Sequence, residues 1–220
     1  MRRIVLILPC LILLAAGALA QDRHPVSGRK YAGVMGPAGA DWLVRPEREA
    51  EEKPDLALQL IGVPKGSTVG DIGAGAGYLT WRLSALVGPA GKVYANDIQP
   101  EMLELLRKNM RQRKIANVET VLGTFDDPKL PANALDLVIL VDVYHEFSEP
   151  QKMLRQIRES LRPDGRLVLL EYRAEDPTVP IRPEHKMTVA QVKMELEPEG
   201  FHVDRIIEDL PRQHILIFKK

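Results

Sequence analysis

The stretch Val69-Gly-Asp-Ile-Gly-Ala-Gly-Ala-Gly-Tyr78 restricts the fold of this chain more than any other. Val69 to Ile72 is a short apolar run of the kind a buried strand requires. Gly73, Gly75 and Gly77 follow at alternate positions, and Thr80, Trp81, Leu83, Leu86 and Val87 then repeat at helical spacing. The order is strand, glycine loop, helix. Glycines allow positive φ and close approach of a ligand to the backbone. The helix start behind them offers free N–H groups to polar or negative atoms. A dinucleotide loop would read Gly-x-Gly-x-x-Gly. Here the third glycine comes one position early, and Tyr78 stands where that pattern has glycine. This spacing disfavours a nicotinamide oxidoreductase.

The segments that follow repeat the alternation. Lys92 to Ala95 reads as a second strand ending in Asn96-Asp97-Ile98, and Asp97 falls about 20 residues beyond the glycines, where a nucleotide site places an acid for ribose hydroxyls. Pro100 to Lys114 is an amphipathic helix with Met102, Leu103, Leu106 and Met110 inward. Val118 to Leu122 is a third strand, leading into Gly123-Thr-Phe-Asp-Asp127. Leu135 to Val141 is an almost unbroken apolar run, as in a central parallel strand. It opens into Asp142-Val-Tyr-His-Glu-Phe147, with ionisable and aromatic groups where such sheets have their crevice.

These stretches resemble motif I, the acid after the second strand and motif IV of the class I S-adenosylmethionine-dependent methyltransferases. The resemblance spans roughly residues 55–220 and is nearest to the small-molecule methyltransferases of ubiquinone and menaquinone biosynthesis. It implies a Rossmann-like α/β three-layer sandwich, with a seven-stranded, mostly parallel sheet closed by a C-terminal antiparallel hairpin. It implies S-adenosylmethionine as cofactor, held by Asp71, Gly73, Ala74, Gly75, Gly77, Asp97 and Ile98, with Thr124, Phe125 and Asp126 framing the adenine and Asp142 at the methionine end. Tyr144, His145 and Glu146 would face a small-molecule acceptor. His145 is the expected general base, because an unperturbed histidine titrates near neutrality. In catechol-type relatives, Mg²⁺ ligands occupy points similar to Asp142 and Glu171. Tyr172 stands where a further oxygen ligand belongs, so no metal site is expected on this pattern. A non-catalytic exported protein that captures a nucleoside-like ligand is the alternative reading.

Later segments carry boundary signals. Ser148-Glu-Pro-Gln151 and Thr188 with Gln191 both read as capping boxes. Leu161-Arg-Pro-Asp-Gly165 reads as a turn before a strand at 166–172. Residues 201–209 and 213–218 read as the closing strands.

Met1 to Ala20 combines Arg2 and Arg3, an apolar run from Ile4 to Leu14 and an Ala18-Leu19-Ala20 cleavage site, the pattern of a secretory signal peptide. Export to the periplasm or the medium, with no stable membrane insertion after cleavage, is therefore expected. The lone cysteine, Cys10, lies in this segment, so disulfide and thiol chemistry are not expected of the mature chain. The formal net charge is zero, which gives no sign of a nucleic-acid partner. Residues 21–53 form a leader before the domain at 54–220. Its glycines and prolines read as irregular, yet Tyr31, Met35 and Trp42 suit docking. Arg45, Arg48, Glu49, Glu51 and Glu52 read as a solvated helix laced by ion pairs, or as part of a lid in which Arg45 or Arg48 reaches a carboxylate.

Overall fold

A computed structural model describes residues 22–220; the expected signal segment lies outside the described residues. One sheet organises them. Its strands are β1 (Thr68–Ile72), β2 (Lys92–Asp97), β3 (Val118–Leu122), β4 (Leu135–Val141), β5 (Leu161–Arg173), β6 (Lys186–Met187), β7 (His202–Ile207) and β8 (Gln213–Lys219). The order across the sheet is β3-β2-β1-β4-β5-β8-β7. Strands β1 to β5 run parallel, whereas β8 is antiparallel to both β5 and β7. The seven expected strands and the closing hairpin are present. The eighth strand, β6, is two residues that pair with Tyr172 and Arg173 at the end of β5. The chain proceeds from β1 to one side and later returns to the other. Beyond the carboxyl ends of β1 and β4, this reversal opens the crevice where such sheets take ligands.

Both faces of the sheet are covered. On one side Ala57, Leu58 and Ile61 of α3 (Pro54–Ile61) and Leu83 and Val87 of α4 (Thr80–Val87) pack on Val69, Val93, Leu137, Ile139, Val168 and Ile217. Leu106 and Met110 of α5 (Pro100–Gln112) pack on Ala95 nearby. On the other side Met153, Leu154 and Ile157 of α6 (Pro150–Ser160), with Val192 and Leu196 of α7 (Val189–Leu196), meet Val138, Leu140, Leu167, Leu169 and Leu216. Alternate residues of β4 and β5 thus feed opposite cores, which is why both strands read as continuous apolar runs.

Of three local expectations, two need correction. Pro150 occupies the first turn of α6 behind Glu149, and no side chain caps that helix. The helix starts one residue later than expected, so Lys152 rather than Gln151 stands at the third position and Ser148 is not the cap. The Thr188–Gln191 box does form, with both reciprocal hydrogen bonds. Leu161 to Gly165 is not a free turn but the start of β5, where Leu161 pairs with Leu135 before a register shift.

The leader is docked on the domain through buried charge. Arg29 donates to Glu195 of α7 at 2.9 Å and to the carbonyl oxygen of His145 at 2.8 Å. Ser27 and His24 also reach Glu195. Ala32 N–H donates to the same His145 carbonyl at 3.1 Å. The leader's short helices, α1 (Ala40–Leu43) and α2 (Arg48–Glu52), follow. No helix among the described residues is long and apolar enough to cross a membrane.

Candidate functional site

A cavity of about 590 Å³ opens at the carboxyl ends of β1, β2 and β4, within the size range of small-molecule sites. One wall is the glycine loop. Gly73, Gly75 and Gly77 have φ of +70°, +53° and +88°. A Cβ on Gly73 would run into the side chain of Val143, and one on Gly75 would lie 3.3 Å from Leu43 of the leader. Gly77 does not line the cavity; a Cβ there would press on Leu106 and Met110, so its place is in packing α5 against the loop.

The acids around this wall are buried. Asp71 accepts from Thr80 Oγ1 at 2.6 Å, and burial pushes its pKa up to about 6, with Asp97 adding to the rise against the Thr80 bond. Asp97 accepts from the backbone N–H groups of Gly75 and Gln99, each at 2.9 Å. Burial still raises its pKa against those donors. Asp142 has φ of +55°, a strained conformation for a residue with a side chain. Its carboxylate accepts from Gln213 Nε2 at 3.0 and 2.9 Å, and Arg48 stands 3.7 Å away. Burial, then Glu52, drives its pKa well above the carboxylate range despite Arg48.

Ala74, Ile98, Thr124 and Phe125 also line the cavity, with Phe125 57 % exposed at its rim. Asp126 does not line it. This exposed acid accepts from Thr124 Oγ1 at 2.7 Å and shapes the turn instead. The leader contributes Val34, Met35, Trp42 and Leu43 to the wall. Arg48 is buried rather than solvated. It donates two 2.7 Å bonds to Glu52 and one of 2.6 Å to the Leu43 carbonyl, and lies over the Tyr78 ring at 4.2 Å. Arg45 stacks on Trp42 at 3.7 Å and donates to Glu51.

The far end of the cavity is built around His145. Its Nδ1 lies 2.6 Å from Glu171 Oε2, and its Nε2 lies 3.2 Å from Nδ1 of His185. Burial alone would lower the pKa of His145, but Glu171 outweighs it and the pKa is raised. Glu146 lines the same end, and burial lifts its carboxyl to about 7, against His145. Ligating atoms of His145, Glu146 and His185 all lie within 4.8 Å of one another. Tyr144 is a correction. It is fully buried on the α6–α7 side, edge-on to Phe147 with ring centroids 5.5 Å apart, and is absent from the cavity wall. The short 3₁₀ turn at 144–146 sends successive side chains to different sides, so only its neighbours reach the cavity.

Sequence reasoning missed His185 and Gln213 as site residues. His185 follows Pro180 and Pro183 in a polar loop, and only the pairing of β6 with β5 brings it to His145. Glu171 and Asp142 do not form a shared oxygen site either. Glu171 turns to His145, while Asp142 faces Gln213 and Arg48.

The buried acids at the glycine wall fit S-adenosylmethionine. Buried Asp71 and Asp97, with half-buried Asp142, outnumber the cation beside them, Arg48, which suits a ligand with a sulfonium and an ammonium. The glycines leave room that a Cβ would fill.

Comparison with known proteins agrees in fold. A family model described as a methyltransferase domain matches residues 64–209. The ubiquinone/menaquinone biosynthesis C-methyltransferase UbiE of Hahella chejuensis is 36 % identical over 127 residues, covering 57 % of this chain and 50 % of that protein. The chain thus spans about half the length of the curated relatives it matches. A SAM-dependent methyltransferase from Aquifex aeolicus superposes with a TM-score of 0.80 at 29 % identity, covering 84 % of this chain and 98 % of that one. The [4+2]-cyclase SpnF superposes with a TM-score of 0.65 at 16 % identity, covering 76 % and 79 %, and shows the fold alone.

Proposed function

The chain belongs to the methyltransferase domain family, and from that premise we propose that it is an S-adenosylmethionine-dependent methyltransferase acting on a small-molecule acceptor. The observation that carries this reading is the glycine loop set against Asp97, with Gly75 N–H already bonded to the carboxylate. Asp97 keeps acceptor capacity for two ribose hydroxyls, since a carboxylate offers about four lone-pair sites and two are taken. Phe125 supplies an aromatic face at the rim for the base. Asp71 and Asp142 hold the cationic end. The bound cofactor supplies a methyl group already activated on a sulfonium. The protein then has to hold the acceptor atom in line with that carbon, about 3 Å away. Met35, Trp42 and Leu43 wall the cavity, and a closed wall excludes water. Acceptor activation falls to the end around His145. Because Glu171 holds Nδ1, Nε2 is the nitrogen turned to the cavity wall, where it meets His185 Nδ1 at 3.2 Å.

Titration calorimetry with S-adenosylhomocysteine and with NAD tests the reading. Binding of the first and none of the second is expected; the reverse overturns it. Transfer from labelled S-adenosylmethionine to a panel of phenols, thiols and amines separates an enzyme from a binding protein.

The proposal includes export, on the strength of the signal pattern in Met1 to Ala20. Protein recovered outside the cytoplasm should begin at Gln21. A membrane-bound chain beginning at Met1 would replace export by a retained anchor.

A further inference from the structure

We propose that His145 Nε2, His185 Nδ1 and the Glu146 carboxylate bind a divalent transition metal of the zinc class at the acceptor end of the cavity. The inference rests on the methyltransferase reading and gives that end its chemistry.

Spacing is the first argument. Zinc sits about 2.0–2.1 Å from imidazole nitrogen, so two nitrogens on one tetrahedral zinc lie about 3.3 Å apart. The two imidazole nitrogens here are 3.2 Å apart. Their rings meet at 81°, with centroids 5.1 Å apart, so they converge edge to face and are not stacked. A carboxylate oxygen of Glu146 and one ring nitrogen of each histidine lie within 4.8 Å of one another, so Glu146 is the third ligand within reach. Two imidazoles and one carboxylate form a three-residue set that leaves a position open, the arrangement of a catalytic rather than a structural zinc site.

The second argument lies one layer out. A metal-bound histidine commonly donates its other ring N–H to a carboxylate, which fixes the tautomer and the ring orientation. His145 does this. Its Nδ1 is 2.6 Å from Glu171, which is fully buried, and His145 itself is 2 % exposed. Glu171 thereby leaves the Nε2 lone pair aimed at His185. The donor types agree as well: imidazole with carboxylate suits zinc, iron, copper or nickel better than magnesium, which takes oxygen.

The open position faces the cavity, since His145, Glu146 and His185 all line it. The acceptor class that follows is a small molecule with an ionisable heteroatom, a phenol or a thiol. A metal lowers the pKa of such a group, as it does that of bound water. In the step, the heteroatom releases its proton to water and donates an electron pair to the methyl carbon. The carbon–sulfur bond of the sulfonium breaks, with its electron pair remaining on sulfur.

The test uses untagged full chain stripped with a chelator and titrated with Co²⁺ and Zn²⁺, with cobalt absorption and calorimetry as readouts. One equivalent per chain and a tetrahedral-type cobalt spectrum are expected. His185 is half-buried in a loop, so His185→Ala keeps the fold, as circular dichroism will show, and should abolish the spectrum. Glu171→Gln should weaken zinc binding by about 10–100-fold, as loss of an outer-shell partner does. Uptake by the wild type no greater than by His185→Ala overturns the proposal and leaves the two histidines as a plain hydrogen-bonded pair. S-adenosylhomocysteine titrated into the same samples keeps the two claims apart. Nucleoside binding without metal uptake removes only the metal site. Metal uptake without nucleoside binding sustains the site and removes the methyltransferase reading.

Discussion

The two ends of the cavity are built in opposite ways. At the cofactor end the glycine wall comes from one stretch of chain, running from Asp71 through the glycines to Asp97 and Gln99. The bonds there are local: Gly75 and Gln99 donate backbone N–H to Asp97, and Thr80 donates to Asp71. At the acceptor end His145 and His185 come from two separate 3₁₀ turns and Glu171 from β5, and Asp142, between the two ends, finds its donor in Gln213 of β8. The first end is a motif. The second exists only once the sheet is assembled. A site made by one supersecondary unit keeps its geometry wherever that unit occurs, while a composite site can change one contributor at a time.

That contrast can be broken experimentally. The largest effect is expected at the acceptor end. His145→Gln, which keeps a donor for Glu171, should lower the transfer rate by about 10³-fold, or about 4 kcal/mol of barrier. Affinity for S-adenosylhomocysteine should stay unchanged in calorimetry. A matched loss of nucleoside binding would mean that the two ends are not separable.

Next is Gly73→Ala. Its φ of +70° and the Val143 side chain both oppose a Cβ, whereas Gly28, at +72°, has open space. Thermal or chemical denaturation should show about 3 kcal/mol lost for Gly73→Ala and about 1 kcal/mol for Gly28→Ala. Equal losses would show that backbone conformation, not crowding, dictates the loop.

Asp71 gives a pH signature. Its folded pKa of about 6 lies above the ordinary 3.8. The folded state therefore binds the proton more tightly. The contribution is fully present below about pH 4 and is lost as pH rises to about 6. By linkage this is worth about 2–3 kcal/mol. Urea denaturation of wild type and Asp71→Asn across that window should show the difference between them shifting in the variant's favour as pH rises. A constant difference would remove the buried-acid argument.

The smallest effect is at Asp97. Asp97→Ala should weaken S-adenosylhomocysteine by about 1–2 kcal/mol through lost hydrogen bonds. Unchanged affinity would take Asp97 out of the ribose position.

The same contrast explains what could be read from sequence. Periodicity located the main strands most sharply at β4, because a parallel strand buried on two faces is a continuous apolar run. Spacing alone brought Asp97 beside Gly75, since strand, loop and helix form a single unit. Tyr144 went astray because a 3₁₀ turn has no fixed inside, so adjacency to His145 said nothing about direction. His185 carried no local signal: its approach depends on two residues of β6 pairing with Tyr172 and Arg173. Arg48 looked like a surface charge because, beyond its local bonds to Glu52 and the Leu43 carbonyl, the groups that bury it, Tyr78 and Asp142, lie far along the chain.

The closing hairpin has a consequence for how the molecule is made. Strand β8 is synthesised after β5 and β7, yet it sits inside the sheet, between them. Until it arrives, β5 presents a long apolar edge without a partner, the kind of edge that invites association. The same strand delivers Gln213 to Asp142. A chain stalled before residue 213 would thus carry the glycine loop intact and still lack both a sealed sheet and a satisfied Asp142. Competence and protection from aggregation arrive together, with Gln213–Lys219.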